Sequence, residues 1–90
     1  MGRLQVQTEA ITYTPTVLRL RNAGASAIES GAFSVSFANV DAGSADASVQ
    51  GVTLKTGETL NFNAGAIHNT LGRIEYDTTG SELLIIVLRK

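Results

Sequence analysis

Apolar and polar residues alternate with a period of two along most of the chain. Leu4, Val6 and Thr8 interleave with Gln5 and Gln7, a spacing that turns one face toward a core and the other toward water or a partner. A first strand is predicted here, continuing from Ala10 to Tyr13. At Thr14-Pro15 the proline has no backbone donor and biases the residue before it away from helix, so a bend or an edge position is expected. Val17 to Arg21 alternates again, with Leu18 and Leu20 on one side and Arg19 and Arg21 on the other. Asn22 to Ser26 breaks the alternation and reads as a loop, with one helical turn expected from Ser26 to Ser30.

Ala32 to Val40 carries the cleanest pattern, Phe33, Val35 and Phe37 against Ser34 and Ser36. Asp41-Ala42-Gly43-Ser44 follows as a turn, and a hairpin is expected across it. Ala45, Ala47 and Val49 alternate until Gly51, after which Val52 and Leu54 carry the apolar side; glycine at a switch of parity reads as a β-bulge. Lys55-Thr56-Gly57-Glu58 makes the next turn, and Leu60, Phe62 and Ala64 restart the alternation. After a loop from Asn63 to Asn69, Ile74 and Tyr76 alternate with Arg73 and Glu75. Asp77-Thr78-Thr79-Gly80 turns, and Leu83 to Leu88 closes the chain. That last run is apolar on both faces. It is therefore either a central strand covered on both sides or a strand packed against another subunit. Seven or eight short strands about ten residues apart give the expected fold: all-β, a single compact antiparallel β-sandwich or jelly-roll-like module spanning residues 1–90.

Composition sharpens this picture by exclusion. Ninety residues with 43% hydrophobic and 17% charged side chains hold enough apolar material for one small core and too little charge for disorder. A net charge of -1 removes the electrostatic footprint of a nucleic-acid or anionic-membrane binder. Arg19 and Arg21, with Arg3 nearby, lack the interleaved aromatics of a nucleic-acid surface and read as a solvated face or an ion-pairing one. No apolar run approaches the roughly 18 residues of a membrane-crossing helix, and the first residues lack a secretory h-region, so a cytoplasmic site of synthesis is expected. With no cysteine, thiolate chemistry and disulfides are excluded.

Acid–base or metal chemistry must then pass through the single histidine, His68. Gly57, the stretch Asn63-Ala64-Gly65-Ala66-Ile67-His68 and Gly72 resemble the second motif of the cupin family, in which the histidine is a metal ligand inside a jelly roll. Asn63 stands where that family has proline and Gly72 where it has asparagine. The family's first motif, with two histidines and a glutamate, has no counterpart, whereas a transition metal wants three or four ligands. No cofactor is expected. Glu75 and Asp77 share a strand face, with Glu82 across the turn, and paired carboxylates perform glycoside chemistry when a groove holds them. Tyr13 and Tyr76 are the two candidate sugar platforms. Asp41 and Asp46 sit in a turn whose spacing fits no EF-hand loop. Ser26, Ser30, Ser44 and Ser81 lack the surroundings of a nucleophile, and no Gly-x-Ser-x-Gly elbow occurs. An enzyme is not expected.

Three stretches resemble small structural proteins of tailed-bacteriophage virions: Phe33 to Val40, Val52 to Phe62 with its Leu-x-x-Gly-Glu turn, and Ile74 to Ile86 with a terminal Tyr-Asp-x-x-Gly hairpin leading into an apolar strand. The resemblance implies a virion component, a capsid decoration or head or tail fibre module, without catalysis or cofactor. It implies a homo-oligomer, most often a trimer, and contact with other virion proteins such as the major capsid protein. The alternative is a cupin-like or carbohydrate-binding β module of a cellular protein. On the subunit-contact reading of the last strand, Leu84, Ile86 and Leu88 form the oligomer interface and Arg89 and Lys90 discourage open-ended strand pairing.

Overall fold

The computed structural model describes residues 12–66 and 69–89. The expected first strand, Leu4 to Thr8, and His68 lie outside the described residues. Eight strands follow in order: β1 (Thr14–Arg21), β2 (Ala25–Ile28), β3 (Ser34–Asn39), β4 (Ala47–Val49), β5 (Val52–Leu54), β6 (Thr59–Asn63), β7 (Ile74–Asp77) and β8 (Glu82–Arg89). They form two four-stranded antiparallel sheets, β1-β8-β3-β6 and β2-β7-β4-β5. The pairing is nested, 1 with 8, 2 with 7, 3 with 6 and 4 with 5, which is the wrapping order of a jelly roll. The β-sandwich expected from the alternation is thus what the chain forms.

Side chains of both sheets meet between the layers. Val35, Phe37, Leu83 and Ile85 from the first sheet are fully buried against Ile28, Ala47, Val49, Leu54, Ile74 and Tyr76 from the second. Phe37 stands at the centre, its ring 5.9 Å from Phe62 beside it and 6.0 Å from Tyr76 across the layers. Such edge-on and tilted aromatic contacts add to the area they bury.

Four expectations are corrected. Ser26 to Ser30 holds no helical turn. Asn22 and Gly24 take left-handed backbone (φ 49° and 76°), and the chain runs straight on into β2, where pairing with β7 overrides the local preference of small residues. Asp41 to Ser44 does turn the chain, but β3 and β4 lie in different sheets, so it is a corner and not a hairpin. The same holds for Asp77 to Gly80, which leads from β7 in the second sheet to β8 in the first. Gly51 is no bulge: Gln50 and Gly51, at φ 51° and 77°, form a two-residue turn that leaves Val49 opposite Val52. Paired positive φ values match the right-handed twist of the flanking strands. Gln50 is held there by Glu75, exchanging Gln50 N–H to Glu75 carbonyl (2.8 Å) and Glu75 N–H to Gln50 Oε1 (2.7 Å). Pro15 lies within β1, which is an edge strand, the position where a missing donor is tolerated.

Buried polar side chains close two of the corners, and an arginine fastens a third crossing. At the end of β3, the Asn39 amide nitrogen donates to the carbonyls of Ala45 and Leu54, both at 2.8 Å, and its Oδ1 accepts the Asp41 N–H at 2.9 Å. Asp41 Oδ2 in turn accepts from Gly43 and Ala45 N–H (3.0 and 2.9 Å), which wraps the corner around one carboxylate. At the other end, Thr78 Oγ1 accepts from Ala23 N–H (2.9 Å) and the Thr78 N–H donates to Gly24 (3.0 Å), joining the β1–β2 and β7–β8 crossings. The Arg89 guanidinium donates to the carbonyls of Glu29 and Ser30 (2.9 and 3.2 Å), fastening the β2–β3 crossing.

Asn39→Ala leaves two carbonyls and one N–H without these partners. Each orphaned buried group costs about 1–3 kcal/mol. Urea unfolding should show a loss of roughly 3 kcal/mol or more, whereas Asn61→Ala, an exposed asparagine on β6, should change stability by less than about 0.5 kcal/mol.

Candidate functional site

Two outward surfaces remain once the core is filled. The first is the outer face of β2-β7-β4-β5. A shallow trough of about 330 Å³ lies there, lined by Ser26, Ser48, Gln50, Arg73, Glu75 and Asp77 among others. It shares Ser48 and Asp77 with a neighbouring hollow of about 260 Å³ that Asp46, Thr53 and Thr79 also line.

The structure does bring Glu75 and Asp77 onto this one face, as their spacing requires, but it gives them separate partners. Arg73 reaches Glu75 at 3.1 Å and Glu29 at 3.0 Å, an exposed triad of a kind that contributes little to stability. Asp77 Oδ1 accepts both the hydroxyl (2.6 Å) and the N–H (2.8 Å) of Thr79, and these bonds hold its carboxyl below the ordinary aspartate value. Glycoside chemistry needs one carboxyl pushed the opposite way, so that it stays protonated as the acid. Glu82 does not join the pair; it lies in the first sheet and bonds Arg19 there. That same bond makes Arg19 a partner within the chain.

The remaining candidates are placed as follows. Asp41 is buried and folds its corner, while Asp46 is exposed at the edge of the hollow. Among the described residues no group of three metal-ligating side chains assembles. Ser81 is buried at the second corner with no hydrogen-bond partner for its hydroxyl, and Ser26, Ser30 and Ser44 are exposed. Tyr76 is core, 7% exposed, and the Tyr13 ring lies 4.7 Å from that of Phe33. The Tyr76 ring offers no open face on which a sugar stacks, and Phe33 takes up one side of the Tyr13 ring.

The second surface is the outer face of β1-β8-β3-β6. Strand β8 is central in its sheet, between β1 and β3. Its two parities divide sharply: Leu83, Ile85 and Val87 are 0, 0 and 3% exposed, and Ile86 is 40% exposed with Leu84 and Leu88 half-buried beside it. Register brings further apolar residues alongside. Pro15 lies opposite Leu88, Val17 opposite Ile86 and Ala38 opposite Leu84, and Val17 is 62% exposed. Arg19 and Glu82 close one end of this patch, and Ser34, Ser36 and Asn61 extend it toward β6 as uncharged polar surface. The three residues assigned to an interface therefore do share one open face. Val17 and Pro15 escaped the sequence reading, although Val17 carries the parity of Arg19 and Arg21 and not that of Leu18 and Leu20, which is the signal that placed it outside.

Comparison with protein-family models, with curated proteins and with solved structures finds no match to this chain.

The Asp77 arrangement yields a pH prediction. A carboxyl whose folded value lies below its unfolded one adds stability above the unfolded value, and that increment is lost as pH falls through the folded value. NMR titration should place Asp77 below an ordinary aspartate, and Thr79→Ala should raise it by removing the hydroxyl donor.

Proposed function

We propose that this chain is a structural β module of a tailed-phage particle, a capsid decoration or head or tail fibre component that acts by self-association and by binding other particle proteins such as the major capsid protein. The observation that carries this reading is the open apolar patch of Leu84, Ile86 and Leu88, widened by Val17 and Pro15. At about 25 cal/mol per Å² of apolar surface, leaving these side chains wet forgoes several kcal/mol, comparable with the whole net stability of a small domain. A partner recovers it. The stretches that resemble virion proteins support the same reading, since they supply β3, β5, β7 and most of β6 and β8, three of the four inner strands of the two sheets among them. A particle component also gains from a fold whose crossings are fastened by buried hydrogen bonds and which depends on no redox state.

The experiment is fractionation of the cells in which the protein is made: it should sediment with particle-sized material and remain there after a salt wash. Recovery wholly as free protein, with no particle fraction, would overturn the virion role.

Self-association is tested by parity along β8. Leu84→Asp and Ile86→Asp, on the outer face, should give folded monomer in sedimentation and circular dichroism. Ile85→Asp and Val87→Asp, one residue away, bury an unpaired carboxylate and should cost about 4 kcal/mol or more, enough to unfold the domain. A wild-type protein that is monomeric at high micromolar concentration sinks self-association.

A further inference from the structure

We infer that the outer face of the β1-β8-β3-β6 sheet packs against the same face of a second copy about a two-fold axis, and not in the three-fold ring that the resemblance to virion proteins implies. The inference rests on the self-association proposed above and specifies its geometry.

Charge makes a second copy the fitting occupant. A face that meets itself must not set like charges against each other. The middle of this one, Val17, Ile86, Ser36 and Asn61 in a single row across the four strands, carries none. At its end Arg19 is already bonded to Glu82 of the same chain. The edge of the sheet, by contrast, is guarded. Strand β1 carries Pro15, which lacks a donor and opposes the addition of a further strand, while Arg21 lies on the outer face beyond Arg19, at the end of the patch and away from its uncharged middle. Association is thereby directed from the edge to the face.

Symmetry follows from the number of patches. A ring joins two different surfaces on each copy, whereas a two-fold joins one surface to itself. Among the described residues the large apolar side chains left exposed are Val17, Ile86 and Val52. The first two belong to this patch, and Val52 stands alone on β5 at the edge of the other sheet. One self-complementary surface is therefore available, with no second to receive it. The area sets the strength. Strands of eight, eight, six and five residues at about 3.4 Å each and about 4.8 Å apart make a face on the order of 450 Å². Two copies then bury about 900 Å², the size of a weak, reversible interface.

A two-fold lying in the interface through the centre of the patch sets Ile86 against the partner's Ile86. The chain has no cysteine, so a single introduced thiol reports only on its own copy across the axis. Under mild oxidation by copper phenanthroline, Ile86→Cys should form covalent dimer about a thousandfold faster than Thr53→Cys, the ratio of a millimolar effective concentration to a micromolar bulk one. Thr53 is an exposed residue on the opposite sheet. Ser36→Cys, opposite Ile86 on β3, repeats the measurement with the apolar patch intact. Light scattering on the unmodified protein should give the mass of two chains. A mass of three chains, or disulfide formation no faster than at Thr53, overturns the two-fold and leaves self-association standing. A monomer at high micromolar concentration overturns both.

Discussion

The sandwich depends on a carboxamide that has no apolar character at all. A chain that leaves one sheet for the other must break its ladder, and the carbonyls it exposes there lie at the rim of the core, away from water. Asn39 meets this need at the end of β3, because one amide supplies two donors and an acceptor in fixed geometry. Its backbone is tied as well, receiving the Gly57 N–H at 2.9 Å and donating to Glu58 at 3.1 Å. The end of β3, the start of β4, the end of β5 and the start of β6 are thus fixed by one residue. Phe37 packs on Tyr76 across the layers, between strands of different sheets that the corners and the shared core hold face to face.

Much of this was legible in the order of residues. Alternation located β1, β3, β6, β7 and β8 and the faces they bury, because a period of two needs no tertiary information. The weakly apolar segments were harder. β2 offers one large apolar residue, Ile28, after three small ones, and its strand character comes from the neighbouring β7, which local sequence does not contain. The corners were misread as hairpins because Asp and Gly serve a turn equally well whether the next strand pairs with the last or passes to the other layer. A clue lay in Asn39 itself. It follows Val35 and Phe37 at inward parity, and an amide at an inward position is there to bond backbone.

The same logic explains how far the candidate site could be read. The apolar run near the C-terminus announced a strand with two dry faces, and its parity separated Leu84, Ile86 and Leu88 from Leu83, Ile85 and Val87. What lies beside those residues is a matter of register, and register between β1 and β8 is set across almost the whole chain. Pro15 and Val17 enter the patch only through that register, and Ala38 through the register of β3 with β8. The carboxylates show the converse: Glu75 and Asp77 share a face as their spacing demands, yet Arg73 and Thr79 separate their chemistry.

Nested pairing also orders the chain in time. Closing a loop costs more entropy the longer it is, so the pair joined by Gln50 and Gly51 is the cheapest to form and the pair that sets Thr14 opposite Arg89 the dearest. On loop-closure cost alone the pairs rank outward from the β4–β5 turn, and the place of β8 between β1 and β3 comes last. Until then its two parities are equivalent, a sticky segment with no inside. The open apolar patch comes into being as a surface only when the core has claimed the other half of the same strand. A chain that has not finished folding therefore has no such face to present.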